Sequence, residues 1–195
     1  MTFKEYKGLD LVSVGNEVLD RWKKNHAFEK SLEVREGAPE FIFFEGPPSA
    51  NGKPGIHHVM ARSIKDAICR FKTQSGYKVS RRAGWDTHGL PVEIGVEKKL
   101  GIHKDDIGTK ISVEEYNKTC RSEVMKYTAE WVNMTERVGY WVDMNDPYIT
   151  YDNRYIETLW YLLKKIYDKG LLYKGYSIQP YSPSDGHRPG SFPKR

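Results

Sequence analysis

The run FIFFEG, Phe41–Gly46, constrains the fold of this chain more than any other stretch. It is short, continuously apolar, and closed by a glycine and two prolines, the pattern of a strand buried on both faces. Beyond the following turn, Ile56, Val59, Met60, Ile64, Ala67, Ile68 and Phe71 recur at helical spacing. SGYKVSRRAG then supplies a turn and a second strand over Tyr77–Arg81. Strand, helix and strand in that order predict a right-handed parallel βαβ unit. In such a sheet the ligand site lies at the carboxyl ends of the strands, which is where EGPPSANGKPGIHH falls.

The rest of the chain reads as helices and turns. Leu11, Val14, Val18, Leu19 and Trp22 place one amphipathic helix within residues 10–30, ended by REGAPE. Ser112, with Glu115 three residues on, reads as a capping box. The long helix expected after it carries Tyr116, Cys120, Val124, Tyr127, Trp131, Met134 and Val138 on one stripe. A further helix over Asn153–Lys169 is expected to bury Ile156, Leu159, Leu163 and Ile166 and to stop at Gly170. LLYKGYSIQPYSP alternates like a short extended or hairpin segment, and SDGHRPGSFPKR reads as a tail. Trp131, Trp141 and Trp160 are expected to be packing aromatics, and Cys69 a small packed residue. No internal repeat is present.

Composition narrows the class. With 38% hydrophobic, 29% charged and 13% aromatic residues in 195 positions, an ordered globular domain is expected. The net charge of +5 permits a nucleic-acid partner without requiring one. The two cysteines, Cys69 and Cys120, form no CxxC pair, and no Cys/His cluster has zinc spacing, so no metal site is expected. No apolar run approaches the roughly 18 residues of a membrane span, and the charged start does not read as a signal peptide. A cytoplasmic protein without a membrane partner follows as the expectation.

The turn itself is specific. A helix start offers unpaired N–H groups and about half a positive charge, which suits phosphate. A P-loop is excluded, because Gly52-Lys53 stands one step late and Pro54 replaces the magnesium-binding hydroxyl. The dinucleotide pattern G-x-G-x-x-G is absent too. Pro47, Pro48 and Pro54 build the turn with Gly46, Gly52 and Gly55, and His57 and His58 close it. Imidazole donors there can meet charge on a triphosphate as the bond at its α-phosphorus changes. Taken alone, the two histidines read more readily as ordinary surface residues at a helix cap than as phosphate donors.

PPSANGKPGIHH resembles the first signature of the class I aminoacyl-tRNA synthetases, a proline-rich turn ending His-Ile-Gly-His. GWDTHGLPVE, Gly84–Glu93, resembles the next element of their isoleucyl branch almost letter for letter, and the spacing between the two also matches. Leucyl members have Phe where this chain has His88, and valyl members carry a threonine-led turn. DKGLLYKGYSIQPYSP is similar to the segment where the family's sheet gives way to an inserted domain. The resemblance covers residues 41–183. It implies an α/β fold, the first half of a Rossmann-like parallel-sheet nucleotide-binding catalytic domain with helical segments. Residues 1–40 read as a helical extension, and the irregular tail over 184–195 departs from the family's pattern where its inserted domain would normally begin.

The implied reaction is ATP-dependent activation of isoleucine and transfer to tRNA(Ile), with Mg²⁺ accompanying ATP and a monomeric full-length enzyme. By the same resemblance, His57 and His58 are catalytic. Pro48, Asn51, Gly52 and Gly55, with both histidines, bind ATP. Gly46 and Pro47 wall the amino-acid pocket, where Asp86 holds the α-ammonium and His88 contributes. Gly-Ile-His-His replaces His-Ile-Gly-His here. Either His57 takes over the missing role from a neighbouring position or ATP binding is weaker; an imidazole gained as another is lost favours the first. The family's Lys-Met-Ser-Lys-Ser loop does not occur in these residues, so an amino-terminal fragment with half an active site and exposed apolar surface is expected. A leucyl or valyl enzyme and a non-catalytic RNA-binding remnant are the competing expectations.

Overall fold

The structure, a computed structural model, describes residues 5, 8–176 and 178. These divide into two compact units, one of residues up to 85 together with 126–147, the other of 86–125 together with 148 onward.

In the first unit, Asp10 caps α1 (Leu11–Lys24) by accepting from the amides of Val12 and Ser13 at 3.1 and 3.2 Å. The single helix expected over residues 10–30 is two. His26, at φ 49°, turns the chain into the left-handed region and starts α2 (Ala27–Glu33) anew. Trp22 of α1 meets Trp141 edge-on at 5.2 Å, and Phe28 of α2 lies 6.1 Å from the same ring. Gly139 lets this happen: its φ is +70°, and a Cβ there would stand 3.2 Å from the Trp22 ring.

α3 (Ile56–Gln74) forms where the periodicity places it. The segments on either side of it do pair in parallel, but only at one bridge, Glu40 with Lys78. There Phe41 N–H donates to the Lys78 carbonyl at 2.9 Å, and Lys78 N–H to the Pro39 carbonyl at 3.0 Å. Residues 41–46 therefore do not form the doubly buried strand expected of them. Pro39 has no N–H to extend the ladder and Pro47 and Pro48 end it. Ile42 and Phe44 are 69% and 89% exposed, so only one side of the run is covered among the described residues. The second strand is displaced as well. Beyond the Lys78 bridge, regular pairing begins at β1 (Arg82–Trp85), whose partner is β2 (Asp143–Ile149). The sequence reading missed β2, because NDP interrupts its alternation.

The long helix expected after Ser112 is also two, α5 (Val113–Val124) and α6 (Thr128–Arg137), of which α5 belongs to the second unit and α6 to the first. The Ser112 hydroxyl caps α5 by accepting from Glu115 N–H at 3.1 Å. Ala50, Cys69, Val79, Ala83, Trp85, Trp131 and Tyr140 form the buried core of the first unit. One ionic cluster runs through it. Asp66 of α3 accepts from Arg70, from Arg81 at 3.3 Å and from the Trp141 amide at 3.2 Å. The Arg70 guanidinium lies over both the Trp22 and the Trp141 ring, at 4.6 and 3.9 Å.

The second unit packs α4 (Leu90–Leu100) against α5, burying Val92, Val96, Tyr116 and Val124. α7 (Asn153–Asp168) begins on an Asp152 cap and ends with Gly170 N–H donating to the Tyr167 carbonyl at 2.8 Å. Its stop is as expected; its burial is not. Leu159, Leu163 and Ile166 are each 41% exposed and Trp160 is 68% exposed, so among the described residues no second layer covers this helix. Residues 171–176 are irregular, with Leu171, Leu172 and Tyr173 exposed. The extended or hairpin segment expected there otherwise falls outside the described residues, as does the tail 184–195.

Candidate active site

The turn before α3 is held from within and from α6. Ser49 Oγ donates to Asn51 Oδ1 at 2.9 Å. Tyr127 N–H donates to the carbonyl of Ala50, which is fully buried, at 3.2 Å, and Trp131 Nε1–H to the Gly52 carbonyl at 2.8 Å. Gly55 is the N-cap of α3, and its N–H donates to Nδ1 of His58 at 2.9 Å. His58 thus closes the helix start as a Glu does in a capping box. An Nδ1 that accepts must be unprotonated, so the ring's proton sits on Nε2, which the Gly55 contact leaves available.

The His57 ring lies against His58 with centroids 3.8 Å apart and planes tilted by 43°, and the Trp131 ring meets His58 edge-on at 4.6 Å. Gly55 leaves room for the His57 ring. A Cβ at that position would meet His57 Cε1 at 3.0 Å and Nδ1 at 3.1 Å. The side-chain space beside position 55 is therefore filled by the imidazole of position 57. Gly46 and Gly52 differ from this: a Cβ at either would meet no atom of the chain within 4 Å.

Burial, the neighbouring His57 and the cation of Arg62 together hold the His58 pKa below its ordinary value, so its neutral form is favoured. Arg62, one turn further along α3, is only 7% exposed and lies over the Trp131 ring at 5.0 Å. Its own pKa is lowered by burial, against the attraction of Glu45 and Tyr140. Glu45 accepts from Lys65 at 2.6 Å and from the Tyr140 hydroxyl, whose pKa is pushed up by burial and by that bond. Glu45, Arg62 and Tyr140 border a cavity of about 20 Å³, lined also by Pro48, Thr135 and Trp85, with room for one water.

Asp86 and His88 belong to the second unit, where two buried threonines organise them. Thr87 N–H donates to Thr150 Oγ1 at 2.9 Å, and the two hydroxyls lie 2.8 Å apart. His88 Nδ1 is 2.9 Å from the same Thr150 oxygen. His88 N–H donates to Asp86 Oδ1 at 3.4 Å, while the Asp86 carboxylate stays exposed at the surface. The structure thus groups Pro48, Asn51, Gly52, Gly55, His57 and His58 at one turn of the first unit, with Gly46 and Pro47 leading into it. Asp86 and His88 sit together in the second.

A family model of the class I tRNA synthetases (I, L, M and V) matches residues 17–186. The chain belongs to this family. It is 68% identical over 184 residues to the isoleucine–tRNA ligase of Porphyromonas gingivalis, covering 94% of this chain and 16% of that protein. To the enzyme of the same name from Cytophaga hutchinsonii it is 60% identical over 186 residues, 95% of this chain and 17% of that one. The chain therefore spans about a sixth of the length of the curated relatives it matches. Among solved structures, a ternary LeuRS–tRNA–LeuAMS complex from Agrobacterium radiobacter K84 matches with a TM-score of 0.55. The identity there is 21%, over 88% of this chain and 19% of that one. That likeness supports the half-Rossmann class I synthetase fold and no more.

In this synthetase segment, motif reading found the turns but not what supports them. Arg62, Trp131, Tyr140 and Thr150 lie in neither turn motif, and Glu45 and Thr87 lie in them without a role expected of them. One signal was available for α6: Tyr127, Glu130 and Trp131 share a helix face by their spacing, and that face meets the turn.

Proposed function

We propose that this chain is the part of an isoleucine–tRNA ligase that carries the first half of its active site. Similarity over 94–95% of this chain, and 16–17% of theirs, to isoleucine–tRNA ligases at 60–68% identity carries this reading. A carboxylate oxygen of isoleucine attacks the α-phosphorus of ATP. The bond from that phosphorus to the bridging oxygen breaks, and pyrophosphate leaves. A ribose hydroxyl of the tRNA terminus then attacks the adenylate carbonyl, its proton is lost, and AMP leaves.

The chain's residues take the following parts. Negative charge grows on the leaving phosphates, and Nε2–H of His58, held in one tautomer by Gly55, donates to it alongside His57. His57 occupies the side-chain space of position 55 and so replaces the histidine missing there. Pro48, Asn51, Gly52 and Gly55 line the nucleotide turn, and the empty side-chain space at Gly52 lets phosphate approach the backbone. Gly46 and Pro47 wall the amino-acid pocket. Asp86 accepts from the α-ammonium, for which an exposed carboxylate is suited, and His88 lies beside it. Mg²⁺ would arrive on the ATP phosphates; among the described residues no group of three or more His, Cys, Asp or Glu is placed to hold a metal. The protein works in the cytoplasm as a monomer when whole.

Amino-acid-dependent ATP–pyrophosphate exchange tests this. Isoleucine, but not leucine, should drive exchange in the full-length polypeptide carrying this segment, and residues 1–195 alone should give little. Exchange driven by leucine or valine in preference would move the protein to another branch, and no exchange with any of them would leave an RNA-binding remnant.

A further inference from the structure

The half-active-site reading leaves α6 without a task, yet one face of that helix meets the nucleotide turn at four places. Tyr127 N–H holds the Ala50 carbonyl at 3.2 Å. Glu130 lies 3.9 Å from the Lys53 ammonium. Trp131 donates to the Gly52 carbonyl at 2.8 Å and meets the His58 ring at 4.6 Å. The exposed Lys53–Glu130 pair contributes little. Trp131 is different: it is 2% exposed, and its indole touches both the loop backbone and the His58 imidazole.

The geometry of a trans peptide carries this further. The C=O of one residue and the N–H of the next point in opposite directions across the peptide plane. The described backbone has no cis peptide. With the Gly52 carbonyl aimed at the indole, the Lys53 N–H is turned to the opposite side of the turn. The indole edge also limits rotation of His58, whose Nδ1 is already occupied.

We propose that Trp131 is a positioning residue for the nucleotide turn: by binding the Gly52 carbonyl and bracing His58 it aims two donors, the Lys53 N–H and His58 Nε2–H, at phosphate oxygens of ATP. This rests on the turn being the ATP site. A Trp that only filled the core would affect stability and leave nucleotide affinity alone.

The test is ATP–pyrophosphate exchange in the full-length polypeptide. W131F keeps a ring against His58 and removes the indole N–H. It should raise KM for ATP three- to tenfold, in line with one lost hydrogen bond, with KM for isoleucine unchanged. Two variants of the exposed Lys53 keep the inference testable should W131F fold poorly. K53A removes the side chain alone, whereas K53P removes the side chain and the backbone donor, so KM for ATP should be three- to tenfold higher in K53P than in K53A. A lower Tm for W131F with an unaltered KM for ATP, or equal KM values in K53A and K53P, would overturn the inference. Absence of exchange in the unmodified protein would instead overturn the ATP reading of the turn, and this inference with it.

Discussion

Thr150 concentrates three contacts on one hydroxyl. It accepts from Thr87 N–H at 2.9 Å and shares protons with the Thr87 hydroxyl and with His88 Nδ1. A hydroxyl has one proton and two lone pairs, so all three can be satisfied at once. T150V keeps the shape and removes every one of them. The buried Thr87 amide then loses its partner, and unfolding in urea should show a loss of about 1–3 kcal/mol, while T150S should stay close to the parent. Asp86 and His88 were legible from their motif; Thr150 was not, because a hydroxyl 62 residues from its partner in sequence leaves no local pattern. His58 adds a pH prediction. Its ring faces His57, the Arg62 guanidinium, the Gly55 N–H and the Trp131 edge. Its pKa is lowered in the folded state, so as pH falls below its ordinary 6.5 the unfolded chain takes up a proton that the folded chain declines. The contribution of His58 is therefore present above pH 6.5 and is lost as pH falls through the lower folded value. In H58Q the slope of stability against pH should flatten over that window, as read by thermal unfolding at a series of pH values. A slope identical to the parent's would show that His58 titrates normally.

Among the elements, α3 is the one whose position depends on charge. Arg81, buried with β1 about to begin, rests on Asp66 at 3.3 Å, on the Trp141 carbonyl at 3.0 Å and on Thr73 at 3.1 Å. D66A removes the carboxylate that compensates both Arg81 and Arg70. Leaving a buried guanidinium without its counter-charge costs about 3–5 kcal/mol, so the midpoint of urea unfolding should drop sharply in D66A. An exposed pair such as Lys164–Asp168 should contribute too little to measure when broken by D168A. The same contrast explains which elements could be read in advance. Local signals were sufficient for α3, for the Ser112 cap of α5 and for the Gly170 stop of α7, since each depends on residues within a turn or two. Phe41–Gly46 was misread because burial of a strand depends on what lies over it. The apolar run is real, but Ile42 and Phe44 face outward. The breaks at His26 and at 125–127 escaped because helical periodicity runs on across a break of two or three residues.

For the molecule as a whole, the governing fact is the amount of apolar side chain left uncovered. Ile56, Met60, Ile64, Ile68 and Phe71 form an exposed stripe along α3, and Trp160, Tyr161, Leu162 and Tyr167 stand exposed on α7. Soluble monomers rarely leave apolar patches of this extent in contact with water, and the chain spans about a sixth of its curated relatives. Periodicity predicted burial for Leu159, Leu163 and Ile166, which the described structure leaves 41% exposed. The 195-residue chain should therefore bind a hydrophobic dye such as ANS and associate as its concentration rises, in sedimentation velocity and light scattering. The full-length polypeptide should do neither. Substituting Trp160 and Leu162 with Glu should reduce association of the 195-residue chain. Because neither side chain is buried, stability should move by no more than about 0.5 kcal/mol. If the unmodified chain stays monomeric and dark to the dye at high concentration, the exposed faces are covered by some arrangement of the chain itself. In that case the W160E/L162E variant should lose stability by several times that margin, since it would be placing charge in a buried contact.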